Sequence, residues 1–180
     1  MASCGFISGA QDGVLYIRAE YPEAISILQK AIEPFNQIFP HQKRNGDIVN
    51  FKLHVVKAQG AYICGEETAL LSSLEGLRPE VRTRPPFPSQ YGLFGKPTAV
   101  NHVETLANVY AILSDGGTAF KAIGTAKSAG TKLLSLDSHF NNPGLYEVDM
   151  GTPLSVVINE LGGGLKEPIK AFHIGGPLGG

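Results

Sequence analysis

The chain has few cysteines, no long apolar run and no excess of charge of one sign, and each absence excludes a class of protein. Its two cysteines, Cys4 and Cys64, are too few for the four thiolates of an iron–sulfur cluster and form no spaced zinc motif. We therefore expect no metal site and interpret each cysteine as a buried, reduced thiol. No apolar run approaches the roughly 20 residues that span a bilayer, and the first residues lack the layout of a signal peptide. The sequence thus predicts a soluble protein that is either cytoplasmic or matrix-facing.

The charge pattern and the glycine pattern exclude two further classes. A net charge of −1 with interspersed signs argues against a nucleic-acid surface, which needs a clustered basic excess. Phosphate-binding glycine motifs are also missing, because neither GxxxxGK[ST] nor GxGxxG occurs in the chain. With 43% hydrophobic residues among 180, the chain is long enough to bury a core as one domain or as two small ones.

Strand and helix patterns alternate in the first half of the chain. An apolar strand is predicted over 14–17, and Pro22 suits the first turn of a helix whose apolar spacing continues until Pro34 interrupts it. Residues 51–55 alternate between apolar and polar side chains, as a half-buried strand does, and a second helix is predicted over 66–75. Strand, helix, strand and helix in this order predict a parallel, right-handed α/β unit.

Two adjacent carboxylates, Glu66 and Glu67, open the second helix directly after Gly65, and Gly76 is placed to cap its end. Acidic residues in a first turn are favoured by the partial positive charge there, so a purely structural role is available. After a strand, however, they also face the crevice in which α/β sheets bind nucleotides. Carboxylates repel phosphate and accept hydrogen bonds from ribose or ribityl hydroxyls. The pattern therefore indicates a hydroxyl-accepting edge of a redox-cofactor site.

Two segments show no periodicity. Residues 36–50 are largely polar and predict a surface loop. Residues 77–100 carry five prolines, which stiffen the segment and would present an aromatic such as Phe87 at low entropic cost. Four basic side chains in this segment are able to meet phosphate oxygens, although a solvated basic loop or a partner-docking surface is the favoured interpretation: Arg78, Arg82, Arg84 and Lys96.

A helix is predicted after Asn101, which is interpreted as its N-cap with Glu104 completing a capping box. The apolar face of this helix is expected to be buried and consists of Val103, Leu106, Ala107, Tyr110 and Leu113.

Small polar residues at 126–132 predict a junction between two units. Beyond it the pattern predicts a hairpin over 133–148, a helix capped by Thr152 and a strand over 169–174. The glycine-rich residues 175–180 are interpreted as a turn rather than a phosphate loop, because no helix follows them.

Three motifs follow one another in register: GAYICGEETALLSSL at 60–74, RPPFP at 84–88 and GLFGKPTAVNHVETLAN at 92–108. Together they closely resemble the NADH-binding flavoprotein subunit of respiratory complex I, a family that includes the diaphorase subunits of NAD-linked hydrogenases and formate dehydrogenases. YIRAEYP at 16–22 and NPGLYEV at 142–148 are similar to family segments in the family order, so the resemblance covers nearly the whole chain.

The resemblance implies a partial, Rossmann-like FMN/NADH-binding α/β domain over 1–126, followed by a small β-grasp (ubiquitin-like, soluble-ligand-binding) domain over 127–180. It implies FMN and NAD(H) as cofactors, with hydride passing from NADH to the flavin and electrons continuing to iron–sulfur clusters. The flavin carries this chemistry, so no side chain is expected to act as a catalytic acid or base. The implied cofactor-binding residues are Tyr62, Gly65, Glu66, Glu67, Phe87, Asn101 and His102.

Each implied residue has a role in the resemblance. Tyr62 and Gly65 would line the flavin, and the two glutamates would face the flavin and the nicotinamide ribose. Phe87 would stack on adenine, with a plug over the core as its alternative. Asn101 would hold FMN, and His102 stands where the family has a second asparagine, which leaves fewer hydrogen-bond donors. A further departure lies at Gln59, which adds bulk where the family has Gly-Ala-Gly.

The implied partners are other redox subunits, namely a 2Fe–2S thioredoxin-like subunit and an iron–sulfur subunit. The family's phosphate loop and its 4Fe–4S cysteines have no counterpart here, so the chain is interpreted as an internal fragment with weak or absent catalysis of its own. Two alternatives stay open. In the first alternative the chain is a docking module that binds no cofactor. In the second it is an inert fragment.

Overall fold

A computed structural model of the chain describes residues 1–39, 43–44, 47–48, 50–58 and 61–175. The chain forms two compact units, which comprise residues 1–101 and 102–180. Residues 40–42, 45–46 and 49 of the predicted loop, the family departure at Gln59 and Gly60, and residues 176–180 of the glycine-rich end lie outside the described residues. The loop predicted over 36–50 is wrong where it is described, because α2 continues to Ile38 and residues 43–44 pair with 47–48 as short antiparallel strands.

The first unit is built of short helices and strands. In chain order they are α1 (Ala2–Ser8), β1 (Asp12–Arg18), α2 (Pro22–Ile38), β2 (Lys43–Arg44), β3 (Asp47–Ile48), β4 (Lys52–Ala58), a 3₁₀ turn (Tyr62–Gly65), α3 (Glu67–Leu74) and a second 3₁₀ turn (Leu93–Gly95).

Strands β1 and β4 pair in parallel, which confirms the predicted strand–helix–strand unit. The register runs from Asp12 opposite Lys52 to Arg18 opposite Ala58. A parallel pair needs a long crossover, and α2 provides most of it. The residues that follow Ala58 therefore continue from the carboxyl end of the strand pair, where α/β sheets place ligands.

Helix α2 does not end at Pro34, contrary to the sequence-based prediction, and continues to Ile38. Its last turn is held by the neighbouring strand, because the Asn36 side chain donates to the Leu53 carbonyl and accepts from the Leu53 amide, both at 2.9 Å. Phe35 also stacks on Phe39, with ring centroids 4.8 Å apart. These contacts offset the helical hydrogen bond that proline cannot donate.

Helix α3 confirms the prediction at both of its ends. Glu66 is its N-cap, and Gly76 follows the last turn in a left-handed conformation with φ of 76°. The Gly76 and Leu77 amides donate to the Ser73 and Ser72 carbonyls at 3.1 and 2.9 Å. A left-handed residue is needed for these contacts, which explains the glycine.

The second unit contains α4 (Val103–Asp115), α5 (Gly117–Lys121), β5 (Thr131–Leu136), β6 (Gly144–Asp149), α6 (Leu154–Val156) and a π-helical turn (Val157–Leu161). Strands β5 and β6 form an antiparallel hairpin, which confirms the hairpin predicted over 133–148. Leu136, Phe140 and Val157 form the small buried core of this unit.

Two predictions in this unit are wrong. Thr152 does not cap the helix, because its hydroxyl donates to the Asp149 carbonyl at 2.7 Å and Pro153 takes the N-cap position. Residues 169–174 do not form the predicted strand, since none of these described residues has strand conformation. Apolar side chains in this segment pack instead through Phe172, whose ring lies 6.3 Å from that of Phe140.

The apolar face predicted for α4 is largely exposed. Val103, Ala107, Tyr110 and Leu113 face solvent, and Leu106 is half-buried. None of the thirteen residues of α4 is fully buried. Among the described residues, no helix combines the length and apolarity that crossing a membrane requires.

Candidate functional site

The predicted site segment begins directly after the carboxyl end of β4. Residues Tyr62–Gly65 form a 3₁₀ turn rather than a continuation of the strand, and the chain then turns into α3. Tyr62 is 75% exposed, so its ring is available to a ligand. A Cβ atom added to Gly65 would meet no atom within 4 Å. Nothing in the surrounding protein therefore demands a glycine here, and the space above its backbone is open.

The Glu66 carboxylate is held by several hydrogen bonds. Its Oε2 accepts from the amides of Thr68 and Ala69 at 2.9 Å and from the Thr68 hydroxyl at 2.5 Å. Its Oε1 pairs with the Arg84 guanidinium. Partial burial opposes ionisation of this carboxyl, but the bonds from Thr68, Ala69 and Arg84 prevail and lower its pKa below the ordinary value. Glu66 is thus an ionised helix cap with both oxygens engaged.

Glu67 is more open than Glu66. Its Oε1 lies 3.1 Å from the Arg84 Nη1, and its Oε2 accepts no hydrogen bond within the described part of the chain. Arg84 therefore bridges the two carboxylates, using Nη2 for Glu66 and Nη1 for Glu67. The free oxygen of Glu67 is the acceptor that the segment can offer to a ligand hydroxyl.

A second arginine fixes the 77–100 segment to the other end of α3. The Arg82 guanidinium donates to the Ser72 hydroxyl at 3.0 Å and to the Glu75 carboxylate at 2.5 Å, and its amide donates to the Thr68 hydroxyl at 2.9 Å. Glu75 also accepts from the Phe94 amide at 2.8 Å. Because Arg82 and Arg84 are paired with carboxylates, the prediction of a solvated basic loop is wrong for these two residues.

Phe87 lies on this anchored segment and is 51% exposed. Its carbonyl accepts from the amides of Gln90 and Tyr91 at 2.8 and 2.9 Å, which fixes the backbone on one side of the ring. The ring is exposed on an ordered turn, an arrangement that suits stacking against a planar ligand.

Asn101 and His102 occupy different positions from those predicted. His102 is the N-cap of α4, since its carbonyl accepts from the Leu106 amide at 3.2 Å, and its side chain makes no capping bond. The capping box predicted for Asn101 and Glu104 is therefore wrong. Glu104 turns to β5 instead, accepting from the Leu133 amide at 2.9 Å and pairing with Lys132. Asn101 is the last residue of the first unit and His102 the first of the second, and both are exposed.

The two cysteines differ. Cys4 is exposed, contrary to the expectation of a buried thiol, whereas Cys64 is buried as expected. Tyr16 lies near Cys64 and exchanges a 2.8 Å hydrogen bond with the Ser73 hydroxyl. Burial, together with a hydrogen bond involving Cys64, raises the Tyr16 pKa, so the phenol is neutral at physiological pH. No group of three or more potential metal ligands is found among the described residues.

A cavity of about 600 Å³ separates α3 from the proline-rich segment. Its lining includes Thr68, Ser72, Glu75, Arg82, Val81 and Tyr91. None of the implied cofactor-binding residues contributes to this lining. The cavity is therefore a feature beside the candidate site rather than the site itself.

Sequence reasoning missed the arginine bridges. The available signal was the placement of two arginines, at positions 82 and 84, shortly after a helix with carboxylates at both ends. Such charges pair when the chain turns back along the helix. The turn itself, which depends on Gly76 and the prolines, was not predictable in direction.

Comparisons with known proteins agree on one group of relatives. A family model described as the Nuo51 FMN-binding domain matches residues 1–111. The chain is 46% identical over 183 aligned positions to the NADP-reducing hydrogenase subunit HndC of Solidesulfovibrio fructosivorans, covering 100% of the chain and 37% of that protein. It is 45% identical to a subunit of the NADH-quinone oxidoreductase of Aquifex aeolicus, covering 93% of the chain and 40% of that protein.

A solved structure gives the same result for the fold. The crystal structure of an NAD+-reducing [NiFe]-hydrogenase in the air-oxidized state superposes with a TM-score of 0.74 at 39% identity, covering 83% of this chain and 24% of that one. The mixed α/β fold with small sheets thus matches that of the hydrogenase. The chain spans less than half the length of the curated relatives described above.

Proposed function

The chain belongs to the family of the Nuo51 FMN-binding domain, and from that premise we propose that it is part of an NADH:acceptor oxidoreductase subunit that binds FMN and NADH. When bound, FMN supplies hydride acceptance from NADH and one-electron delivery to iron–sulfur clusters. The residues of this chain bind and orient the ligands. The observation that carries the proposal is the free Glu67 oxygen, next in the chain to a 3₁₀ turn with an exposed tyrosine and an open glycine.

The open backbone, the exposed ring and the carboxylates of residues 62–67 fit a flavin nucleotide and a dinucleotide. The open space above Gly65 admits a planar ring against the backbone, and the exposed Tyr62 ring offers it a side wall. The Glu67 Oε2 accepts a hydrogen bond from a ribose or ribityl hydroxyl. Glu66 acts indirectly, since its oxygens cap α3 and hold Arg84.

Phe87 stacks on the adenine ring in this proposal. Its half-exposed ring and its backbone hydrogen bonds to Gln90 and Tyr91 support the role. Asn101 and His102 hold FMN through their exposed side chains and the first amides of α4. His102 offers one hydrogen-bond donor when neutral, where an asparagine amide offers two.

The same proposal includes the types of the two domains and the partner subunits of the complex. The β1–α2–β4 unit supports a Rossmann-like domain over 1–126, and the β5–β6 hairpin followed by α6 supports a β-grasp domain over 127–180. The two compact units divide at 101–102 instead, so the proposed boundary assigns α4 and α5 to the first domain. The partners are redox subunits of a larger complex, including a 2Fe–2S thioredoxin-like subunit and an iron–sulfur subunit, on the cytoplasmic or matrix face of a membrane. A 4Fe–4S cluster belongs to the full-length family.

A docking role without cofactor is the second candidate. It is favoured by the apolar stripe of α4, where Val103, Tyr110 and Leu113 are exposed. Exposed apolar patches of this kind mark interaction surfaces. Retention of FMN distinguishes the two functions, because a docking module has no need of it.

The test is flavin binding and reduction by the purified protein as its gene encodes it. We expect FMN to remain bound through gel filtration, and NADH to bleach its visible absorbance. Glu67→Ala should raise the Kd for NADH about tenfold or more, because a hydrogen bond to a charged group is lost.

Glu80→Ala is the matched control, since Glu80 is an exposed carboxylate of the same unit that pairs only loosely with Arg78, at 3.7 Å. The control should bind NADH as the wild type does. A protein that retains no FMN and quenches no flavin fluorescence would contradict the proposal and favour the docking role.

A further inference from the structure

Two ionised carboxylates at adjacent positions create a problem for the proposed ligand. Glu66 and Glu67 together carry two negative charges at the start of α3, and NADH brings two more on its diphosphate. Like charges at short range raise the free energy of a complex even in a high-dielectric site. The site therefore needs a compensating charge close to the pair.

Arg84 supplies that charge. Its guanidinium contacts both carboxylates at once, and all three side chains are about one-quarter to one-third exposed, so the triad is partly buried and still open to a ligand. The net charge of the triad is −1 rather than −2. The contact also fixes the Glu67 Oε1, which leaves the Oε2 as the acceptor without a partner among the described residues.

Resting on the proposed function, we infer that Arg84 is a positioning residue for the dinucleotide: it screens the Glu66–Glu67 pair so that a ligand with two phosphates can approach the free oxygen of Glu67. It acts through the two glutamates. It is also three residues before Phe87 on the same segment, so the bridge ties the adenine-stacking ring to the start of α3.

The helix dipole does not replace this screening. The partial positive charge at the start of a helix is about half an elementary charge and is already used by the Glu66 cap, whose Oε2 accepts the Thr68 and Ala69 amides. A full positive charge within hydrogen-bond distance of both carboxylates is therefore the larger contribution.

The experiment measures the Kd of NADH for the FMN-loaded protein at several salt concentrations. Arg84→Gln should raise that Kd about tenfold at low salt, with the difference shrinking as salt is added, because an electrostatic effect is screened. Arg84→Lys keeps the charge and should stay within about threefold of wild type. The Kd of reduced nicotinamide riboside, which has no phosphate, should change by less than about twofold in Arg84→Gln.

Two controls keep the result interpretable. Arg78→Gln removes an arginine of the same segment that is 88% exposed, and should leave NADH binding unchanged. The double variant Glu67→Gln with Arg84→Gln restores a net charge of −1 and keeps an acceptor oxygen, so it should bind NADH more tightly than Arg84→Gln alone.

Three results would overturn the inference. They are an unchanged NADH affinity in Arg84→Gln, equal losses for NADH and the neutral riboside, or a double variant that binds no better than the single one. Loss of FMN binding in the wild type is a separate outcome, since it removes the proposed function before Arg84 is tested.

Discussion

Helix α3 has eight residues and α4 has thirteen, yet the shorter helix is the buried one. In α3, four residues are buried, and Leu71 is only 1% exposed. In α4 none is buried, although its apolar residues recur at helical spacing. The difference lies in what flanks each helix, because the 77–100 segment is bonded to both ends of α3 by Arg82 and Arg84. Burial within a unit thus follows from the polar contacts of a neighbouring segment as much as from an apolar stripe.

The largest expected effect is on stability and tests the burial of helix α3. Leu71→Ala should lower the free energy of unfolding by about 2–5 kcal/mol, because a fully buried leucine leaves a cavity. Leu113→Ala in α4 should change it by less than about 0.5 kcal/mol, since Leu113 is exposed. Urea denaturation measures both. Equal losses would show that α4 is covered in solution.

The next largest effect tests whether Arg82 holds the 77–100 segment on α3. Arg82→Gln should cost about 1–3 kcal/mol, because Glu75 loses its charged partner and Ser72 loses a donor. The 77–100 segment should then be cleaved faster by chymotrypsin after Tyr91, which is 60% exposed and is followed by a glycine. Arg78→Gln serves as the control, and a cleavage rate for Arg82→Gln equal to that of the control would rule out an anchoring role.

A smaller effect compares the two helix caps. Glu66→Ala should destabilise the protein by about 1 kcal/mol, because two helix amides lose their acceptor. His102→Ala should have no measurable effect, since the His102 side chain makes no capping bond. Thermal unfolding of the two variants measures the contrast, and an unchanged stability of Glu66→Ala would show that the Glu66 side chain contributes nothing as a cap.

The Glu66 cap also depends on pH. Because its pKa in the folded protein lies below the ordinary value of about 4.3, the folded state favours the ionised form. The stabilisation is complete above that value and is lost as the pH falls through the lowered pKa. Glu66→Gln should therefore flatten the decline in unfolding free energy in acid, as measured by urea titrations. A decline of wild-type steepness in the variant would show that other carboxylates cause it.

The smallest effect tests the exposed helix. Tyr110→Ser should leave the unfolding free energy within about 0.5 kcal/mol of wild type, because the ring is 80% exposed. If the stripe of α4 covers a partner surface in the assembled complex, the same change should weaken the assembly, which gel filtration with partner subunits measures. A large loss of stability in the isolated protein would contradict the exposed state of α4.

Local signals predicted much of the fold. The strand at 14–17, the strand at 51–55, the α3 cap and the hairpin over 133–148 each rest on neighbouring residues, and the structure confirms them. Predictions that depended on distant partners were wrong. The helix beyond Pro34 persists because Asn36 bonds to β4, and residues 169–174 contact Phe140 through Phe172 rather than forming a strand.

The candidate site was predictable in its residues rather than in its contacts. The carboxylates at 66 and 67 were identified from their position after a strand, and the family resemblance, which the comparisons confirm, supplied the ligand chemistry. The Arg84 bridge was not predictable, because no periodicity connects a proline-rich segment to a helix 17 residues earlier in the chain. The individual roles of the implied cofactor-binding residues stay predictions.

The pairing of β1 with β4 has a consequence for the order of folding. Each pair in that register joins residues 40 positions apart, such as Asp12 and Lys52, whereas the β5–β6 hairpin closes between Leu136 and Gly144. Closing the longer loop costs more chain entropy before any contact is gained, so local pairing forms sooner. We expect pulse-labelled hydrogen exchange to protect the hairpin amides before those of β4. The strand after which the ligand edge begins is therefore completed late, so the edge forms after the hairpin of the second unit.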